Sequence, residues 1–145
     1  MKKMIPLLLL VTSFALFLPA CKPDPPVVGC KSNKALNYKF DADNDDGSCR
    51  FSKITFFGRY GNYNGIPITR VDVSVNGSAL GSLTAMYPGG PGNCSAPGTV
   101  SYQFTDDASV DWSSLVFLAN GATLVFTGQV SPSRNEECIK VSATP

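Results

Sequence analysis

Residues 66–83 read IPITRVDVSVNGSALGSL. Val71, Val73 and Val75 alternate with Asp72 and Ser74, the period-two pattern of a strand that buries one face. Ile68 falls on the wrong parity for that face, which predicts a bulge near Thr69-Arg70. Asn76-Gly77 then interrupts the run. Asn and Gly tolerate positive φ at both central positions of a type I′ turn, so the dipeptide predicts a tight hairpin. Ser78 to Met86 is the returning strand, weakened at Gly81, which offers no side chain to pack.

The same texture extends outward. Upstream, Lys53 to Tyr60 (KITFFGRY) is apolar and β-prone. Downstream, residues 88–98 (PGGPGNCSAPG) can only be a loop. Thr99 to Thr105, Trp112 to Leu118, Ala122 to Val130 and Cys138 to Ser142 each read as strands. Asn120-Gly121 marks a second hairpin, and Ser131 to Glu137 is a polar turn. About seven short strands at this spacing predict an all-β domain over 51–145, an antiparallel immunoglobulin-like β-sandwich. Its expected core is Ile54, Phe56, Val71, Val73, Val75, Leu83, Val100, Tyr102, Phe104, Trp112, Val116, Leu118, Leu124, Phe126, Ile139 and Val141. Trp112 reads as a core anchor.

Composition narrows the function. The 145 residues carry 12 Lys+Arg, 11 Asp+Glu and no His. Balanced charge gives no electrostatic footprint for nucleic acid. Without His there is no Ser-His-Asp or Cys-His catalysis and no His-ligated metal. Thirteen Gly and eleven Pro argue against a helical bundle.

Residues 1–20 read as an address. Lys2 and Lys3 precede an apolar run from Met4 to Leu18 that is shorter than the roughly 20 residues of a membrane span and fits a secretory signal. Leu18-Pro19-Ala20-Cys21 looks like a bacterial lipobox, with a branched aliphatic residue, a small residue at the scissile bond and a thiol for lipidation. The resemblance implies that Cys21 becomes the acylated N-terminus and anchors the chain in a lipid bilayer; a single acyl chain holds only marginally, and two or more hold stably. Removal of the leader leaves ten basic against eleven acidic groups, a side-chain charge of −1 instead of +1. Pro23, Pro25 and Pro26 disfavour helix and predict an extended tether over 22–29, about 25 Å long. The resemblance implies the outer membrane, and the acidic tag that directs such lipoproteins to the cell surface is matched here by Asp24 alone.

Residues 30–50 (CKSNKALNYKFDADNDDGSCR) are polar and bracketed by Cys30 and Cys49. So short a segment needs a covalent closure to become ordered. Four cysteines allow three pairings, and local closure favours Cys30–Cys49 with Cys94–Cys138. A cysteine-ligated zinc site lacks any C-x-x-C spacing. Asp41, Asp43 and Asp45 alternate as in an EF-hand, and oxygen-rich clusters suit Ca²⁺. The turn Gly comes one residue late at Gly47, and Ser52 stands where the bidentate Glu belongs. The motif is therefore not an EF-hand; it reads as a solvated acidic turn, or as a looser calcium site on those three aspartates.

Gly29, Cys30, Ala35, Asn37, Tyr38, Asp46, Gly47, Ser48 and Cys49 resemble a small Cys-bounded module of secreted and surface proteins in Bacteroidetes-type bacteria. That module reads Gly-Cys-Thr-Asp, Ala-x-Asn-Tyr and Asp-Gly-Ser-Cys, and Lys31-Ser32 departs from it. Downstream, Ile54 to Phe57, Val71 to Gly77, Cys94 and Cys138 to Val141 are similar to a sandwich domain of small lipoproteins from the same bacteria, with Phe57 where Trp is common. The resemblance brings a lineage and no catalytic residues.

Two acidic pairs, Asp106-Asp107 and Glu136-Glu137, are neighbours whose side chains would point to opposite faces of a strand, so turn solvation explains them better than glycoside hydrolysis. No S-x-x-K or phosphate-binding motif occurs. Arg59, Tyr60 and Tyr63 lie in a loop rich in Asn and Gly; their flat rings and polar groups suit a glycan or peptide, or alternatively cover the edge of the sandwich. The reading is a non-catalytic, lipid-anchored protein of the cell envelope that binds, adheres or assists an envelope protein. The alternatives are a carbohydrate-active enzyme and a purely structural envelope component.

Overall fold

A computed structural model describes residues 23–145; the leader and Cys21 lie outside them. The described chain is all-β and contains no helix. Its ten strands are β1 (Val28–Gly29), β2 (Asn44–Asp45), β3 (Lys53–Phe57), β4 (Asn62–Tyr63), β5 (Ile66–Val75), β6 (Ser78–Leu83), β7 (Val100–Gln103), β8 (Val110–Leu118), β9 (Thr123–Val130) and β10 (Cys138–Ser142). They form a two-stranded sheet β1-β2, a three-stranded sheet β10-β3-β7, and a five-stranded sheet. In the last, β8 lies on one edge of β5 and β9 beyond it, while β4 and β6 pair with β5 as well.

The alternating valines Val71, Val73 and Val75 lie in β5. Its register against β8 shifts between Ile68 and Arg70, so the parity conflict is resolved by an irregularity in the ladder, and Val71, Val73 and Val75 all face inward. Asn76 and Gly77 have φ of 49° and 77°, as a two-residue I′ turn requires, and Val75 faces Ser78 across it. Asn76 also ties the hairpin to β8: its N–H donates to the Asp111 carbonyl at 2.8 Å, and its Oδ1 accepts from Asp111 N–H at 3.0 Å. The Asn120-Gly121 hairpin closes differently. Gly121 N–H donates to Leu118 C=O and Leu118 N–H to Ala122 C=O, with only Gly121 at positive φ. This is a turn followed by a left-handed glycine, the three-residue solution. Asn64 and Gly65, at φ 50° and 81°, form a further hairpin between β4 and β5, inside what the sequence presents as one loop.

Ile54 and Phe56 from the smaller sheet and Val71, Val73, Val75, Val116 and Leu118 from the larger share one buried core. All sixteen expected core residues belong to it, either buried or packed against its border, and Val110 and Ala143 join them. Trp112 packs at that border, its ring 5.6 Å from Phe56. It also covers Gly128 directly across the β8–β9 ladder, where an added Cβ would meet Trp112 Nε1 at 2.7 Å.

The antiparallel expectation needs one correction. The last strand β10 runs parallel to β3, pairing Cys138 with Lys53 through Ser142 with Phe57. Parallel strands need a long crossover, and nearly the whole domain intervenes between these two. β3 is consequently central in its sheet and buried on both faces from Ile54 to Phe57. The Pro/Gly-rich loop lies against it, with Gly90 near the Phe57 ring, Pro91 fully buried and Cys94 bonded to Cys138.

A second correction concerns the tether, expected over 22–29. Val28 and Gly29 are a strand of the Cys-bounded module, parallel to Asn44–Asp45. Val27 belongs to the module too, through Val27 N–H to Asp43 Oδ2 at 2.9 Å and Asp43 N–H to Val27 C=O at 2.7 Å. Gly29 also lies against the Lys39 side chain, where an added Cβ would come within 2.6 Å of Lys39 Cδ.

Candidate functional site

The module is built around one asparagine. Asn37 Nδ2 donates to Ser48 C=O at 2.8 Å, and its Oδ1 accepts from Arg50 N–H at 2.7 Å. One side chain thus clamps both sides of Cys49, which is bonded to Cys30. Ala35 is fully buried, and Gly47 sits at φ 71°, a left-handed conformation that favours glycine. The pairing of Cys30 with Cys49 and of Cys94 with Cys138 is the one that local closure favours.

The aspartates of the expected calcium loop are used for backbone. Asp43 caps Val27 N–H; Asp45 accepts from Gly47 N–H at 2.8 Å and Lys31 N–H at 3.1 Å. Asp46 accepts from Ser48 N–H at 2.9 Å, and Ser48, through its hydroxyl and its N–H, holds that carboxyl below the usual carboxylate range. Asp41 is exposed and does not join them. Among the described residues no group of three or more Cys, Asp or Glu side chains is disposed to hold a metal ion.

The acidic pair Asp106-Asp107 divides its work. Asp106 receives Ser32 Oγ at 2.6 Å, and its carbonyl accepts from Lys34 Nζ at 2.7 Å, so it docks the module on the domain. Arg134 completes that seam, stacked 4.8 Å over the Tyr38 ring. Asp107 faces its own strand end: Thr105 N–H, Thr105 Oγ1 and the Tyr102 hydroxyl bond its Oδ2. Those bonds, the Thr105 N–H first, lower its pKa. Partial burial, with the Asp107 carboxylate adding to it, raises that of Tyr102. Glu136 and Glu137 are exposed in the turn before β10.

Arg59, Tyr60 and Tyr63 are brought to one end of the fold but not to one surface. Gly58 bridges Met86, and Arg59 N–H donates to Thr144 Oγ1 at 2.8 Å, which anchors the start of the loop. Tyr63 lies in β4 and packs against the core border, so it covers the sheet edge. Tyr60 is 50% exposed and Arg59 is exposed. Neither Arg59 nor Tyr60 uses its side chain in a hydrogen bond or ion pair among the described residues. Hollows of about 480 Å³ lie elsewhere: one at the seam, between Leu36, Arg50, Phe51, Gln103 and Glu137, the other over Trp112 and Gly128.

Two features escape sequence reasoning. The Asp106–Lys34 and Arg134–Tyr38 contacts join residues far apart in sequence and leave no local signal. The open edge of β9 does leave one: from Trp112 to Ser133 the chain carries no charged residue. No protein-family model matches the chain, and no curated protein or solved structure matches it significantly.

Proposed function

We propose that the chain is a lipid-anchored, non-catalytic protein of the bacterial cell envelope that presents its β-domain as a binding, adhesion or accessory module. One observation carries this reading. Four of the five cysteines are paired with each other, and the remaining one, Cys21, stands at the lipidation position of a lipobox-like Leu18-Pro19-Ala20-Cys21. Disulfides of this kind persist outside the cytosol, which agrees with export. Within this reading the domain is an immunoglobulin-like sandwich of about seven strands, supported by the seven longer strands and the core that its two larger sheets share.

The contact surface in this reading is the end of the fold that displays Tyr60 and Arg59, whose exposed side chains are free to stack on and hydrogen-bond a glycan or an envelope protein. The test has two arms. Metabolic fatty-acid labelling should mark the wild type and not Cys21→Ser; an unlabelled wild type overturns the anchor. Tyr60→Ala should weaken glycan-array or cell-adhesion signals while leaving the melting temperature unchanged. Unaltered readouts in Tyr60→Ala and Arg59→Ala overturn the contact surface.

A further inference from the structure

We propose that the free edge of β9 pairs with β9 of a second copy of this chain, antiparallel about a two-fold axis at Phe126. β9 ends its sheet, and β8 is its one strand partner among the described residues. The ladder between them runs from Val110–Val130 to Phe117–Thr123 without a register shift. Hydrogen-bonding direction alternates along an antiparallel strand. Starting from the Leu118 N–H to Ala122 C=O bond, the N–H and C=O of Thr123, Val125, Thr127 and Gln129 therefore point away from β8. Their side chains are exposed, Val125 at 64%.

Long unpaired edges invite pairing, and proteins ordinarily blunt them with charge, proline, bulges or brevity. The other edges here are blunted. β4 has two residues and β7 four; β6 is interrupted by a register shift; β10 carries Lys140 and a disulfide. β9 has eight residues (TLVFTGQV) with no charge and no proline.

The lack of charge also selects the occupant. In a two-fold strand pair a residue near the axis lies opposite or diagonal to its own copy, so a charge there that is not balanced by its opposite neighbour would sit close to a like charge, which is destabilising. An uncharged strand meets itself without that cost, and it carries nothing to choose an acidic or basic partner. The register that uses all four open residues sets Val125 opposite Thr127 of the second copy and Thr123 opposite Gln129. Phe126 then faces its own copy on the inner face, where β9 is half-buried, and the apolar border of the core becomes continuous across the pair.

The test uses the full chain in a non-denaturing detergent and measures mass by sedimentation equilibrium. The wild type should be a dimer. Val125→Lys/Thr127→Lys sets like charges opposite twice and should weaken the dimer about tenfold or more, with an unchanged melting temperature for the monomer because both positions are exposed. Val125→Glu/Thr127→Lys sets opposite charges across the same axis and should restore the dimer. A monomeric wild type, open-ended assemblies, or a double-lysine variant that dimerises like wild type each overturn the proposal. Failure of the glutamate–lysine pair to restore the dimer overturns this register.

Discussion

Two buried hydroxyls make a controlled pair. Ser114 Oγ donates to Ala143 C=O at 2.6 Å, deep between the sheets, whereas Thr55 Oγ1 is buried without a protein partner. Removing one member of a satisfied buried pair exposes the cost of the other, about 1–3 kcal/mol. Ser114→Ala should therefore lower unfolding free energy by that amount. Thr55→Val replaces an unpaired hydroxyl with a methyl of the same shape and should raise stability by about 1 kcal/mol. Urea melts check both, and a Thr55→Val variant less stable than wild type contradicts the assignment. A second residue-scale expectation follows from Tyr102 and Asp107. Asp107 has a lowered pKa in the fold, so its contribution is present above the ordinary carboxylate range and is lost as pH falls through the folded value. Tyr102 has a raised pKa, so its contribution is present below its ordinary value near 10 and is lost as pH rises through the folded value. Stability should decline at both ends. Tyr102→Phe should flatten the alkaline limb that sets in above about pH 10, and identical limbs in variant and wild type would show that Tyr102 does not drive it.

At the scale of elements, the weak point is the parallel contact between β3 and β10. No hairpin holds those strands, and the Cys94–Cys138 bond does. It joins the loop before β7 to the first residue of β10, across β3, over a sequence separation of 44. In the loop-entropy model a closure of that size contributes about 4 kcal/mol. Cys94→Ala/Cys138→Ala should lose stability on that order, and amide exchange should rise in β10 before it rises in β5 or β8. Uniform exchange across both sheets would argue against this. The same contrast explains what the sequence makes legible. β5, β6 and β8 announce themselves by alternation and by Asn-Gly turns, because hairpin pairing is local. Even the Ile68–Arg70 irregularity follows from one parity conflict. The parallel direction of β10 does not, because nothing near Cys138 records where β3 lies. The two-residue strands β1, β2 and β4 are too short for a period to show. The site residues follow the same rule. Tyr63 looks like Tyr60 in sequence, and only the Asn64-Gly65 turn decides that one covers the core border and the other faces water.

At the scale of the whole chain, the Cys-bounded module and the domain are joined in two ways. The chain passes from Arg50 straight into β3, and the seam adds Ser32 and Lys34 on Asp106 and Arg134 over Tyr38. Lys34 Nζ also lies 3.9 Å from Asp106 Oδ1, an ion pair whose side chains are 34% and 72% exposed, and solvent-exposed pairs contribute roughly 0–1 kcal/mol. The module's own interior is little more than Cys30, Ala35 and Ala42, too small to stand without a staple. Its order therefore depends on the Cys30–Cys49 bond, which spans 19 residues and contributes about 3 kcal/mol in the entropy model. The domain keeps its own core and its own disulfide. Cys30→Ala/Cys49→Ala should then expose residues 30–50 to proteolysis while the cooperative melt of 51–145 shifts by no more than about 1–2 kcal/mol, the combined worth of the exposed ion pair and the cation–π contact. Asp106→Ala should leave the module protected, because the disulfide and the Asn37 clamp remain. Limited proteolysis with mass mapping, run beside a thermal melt, reads both quantities. A double-alanine chain whose domain melts several kcal/mol lower would mean that the module is a structural part of the domain and not a separate collar between it and the N-terminal segment.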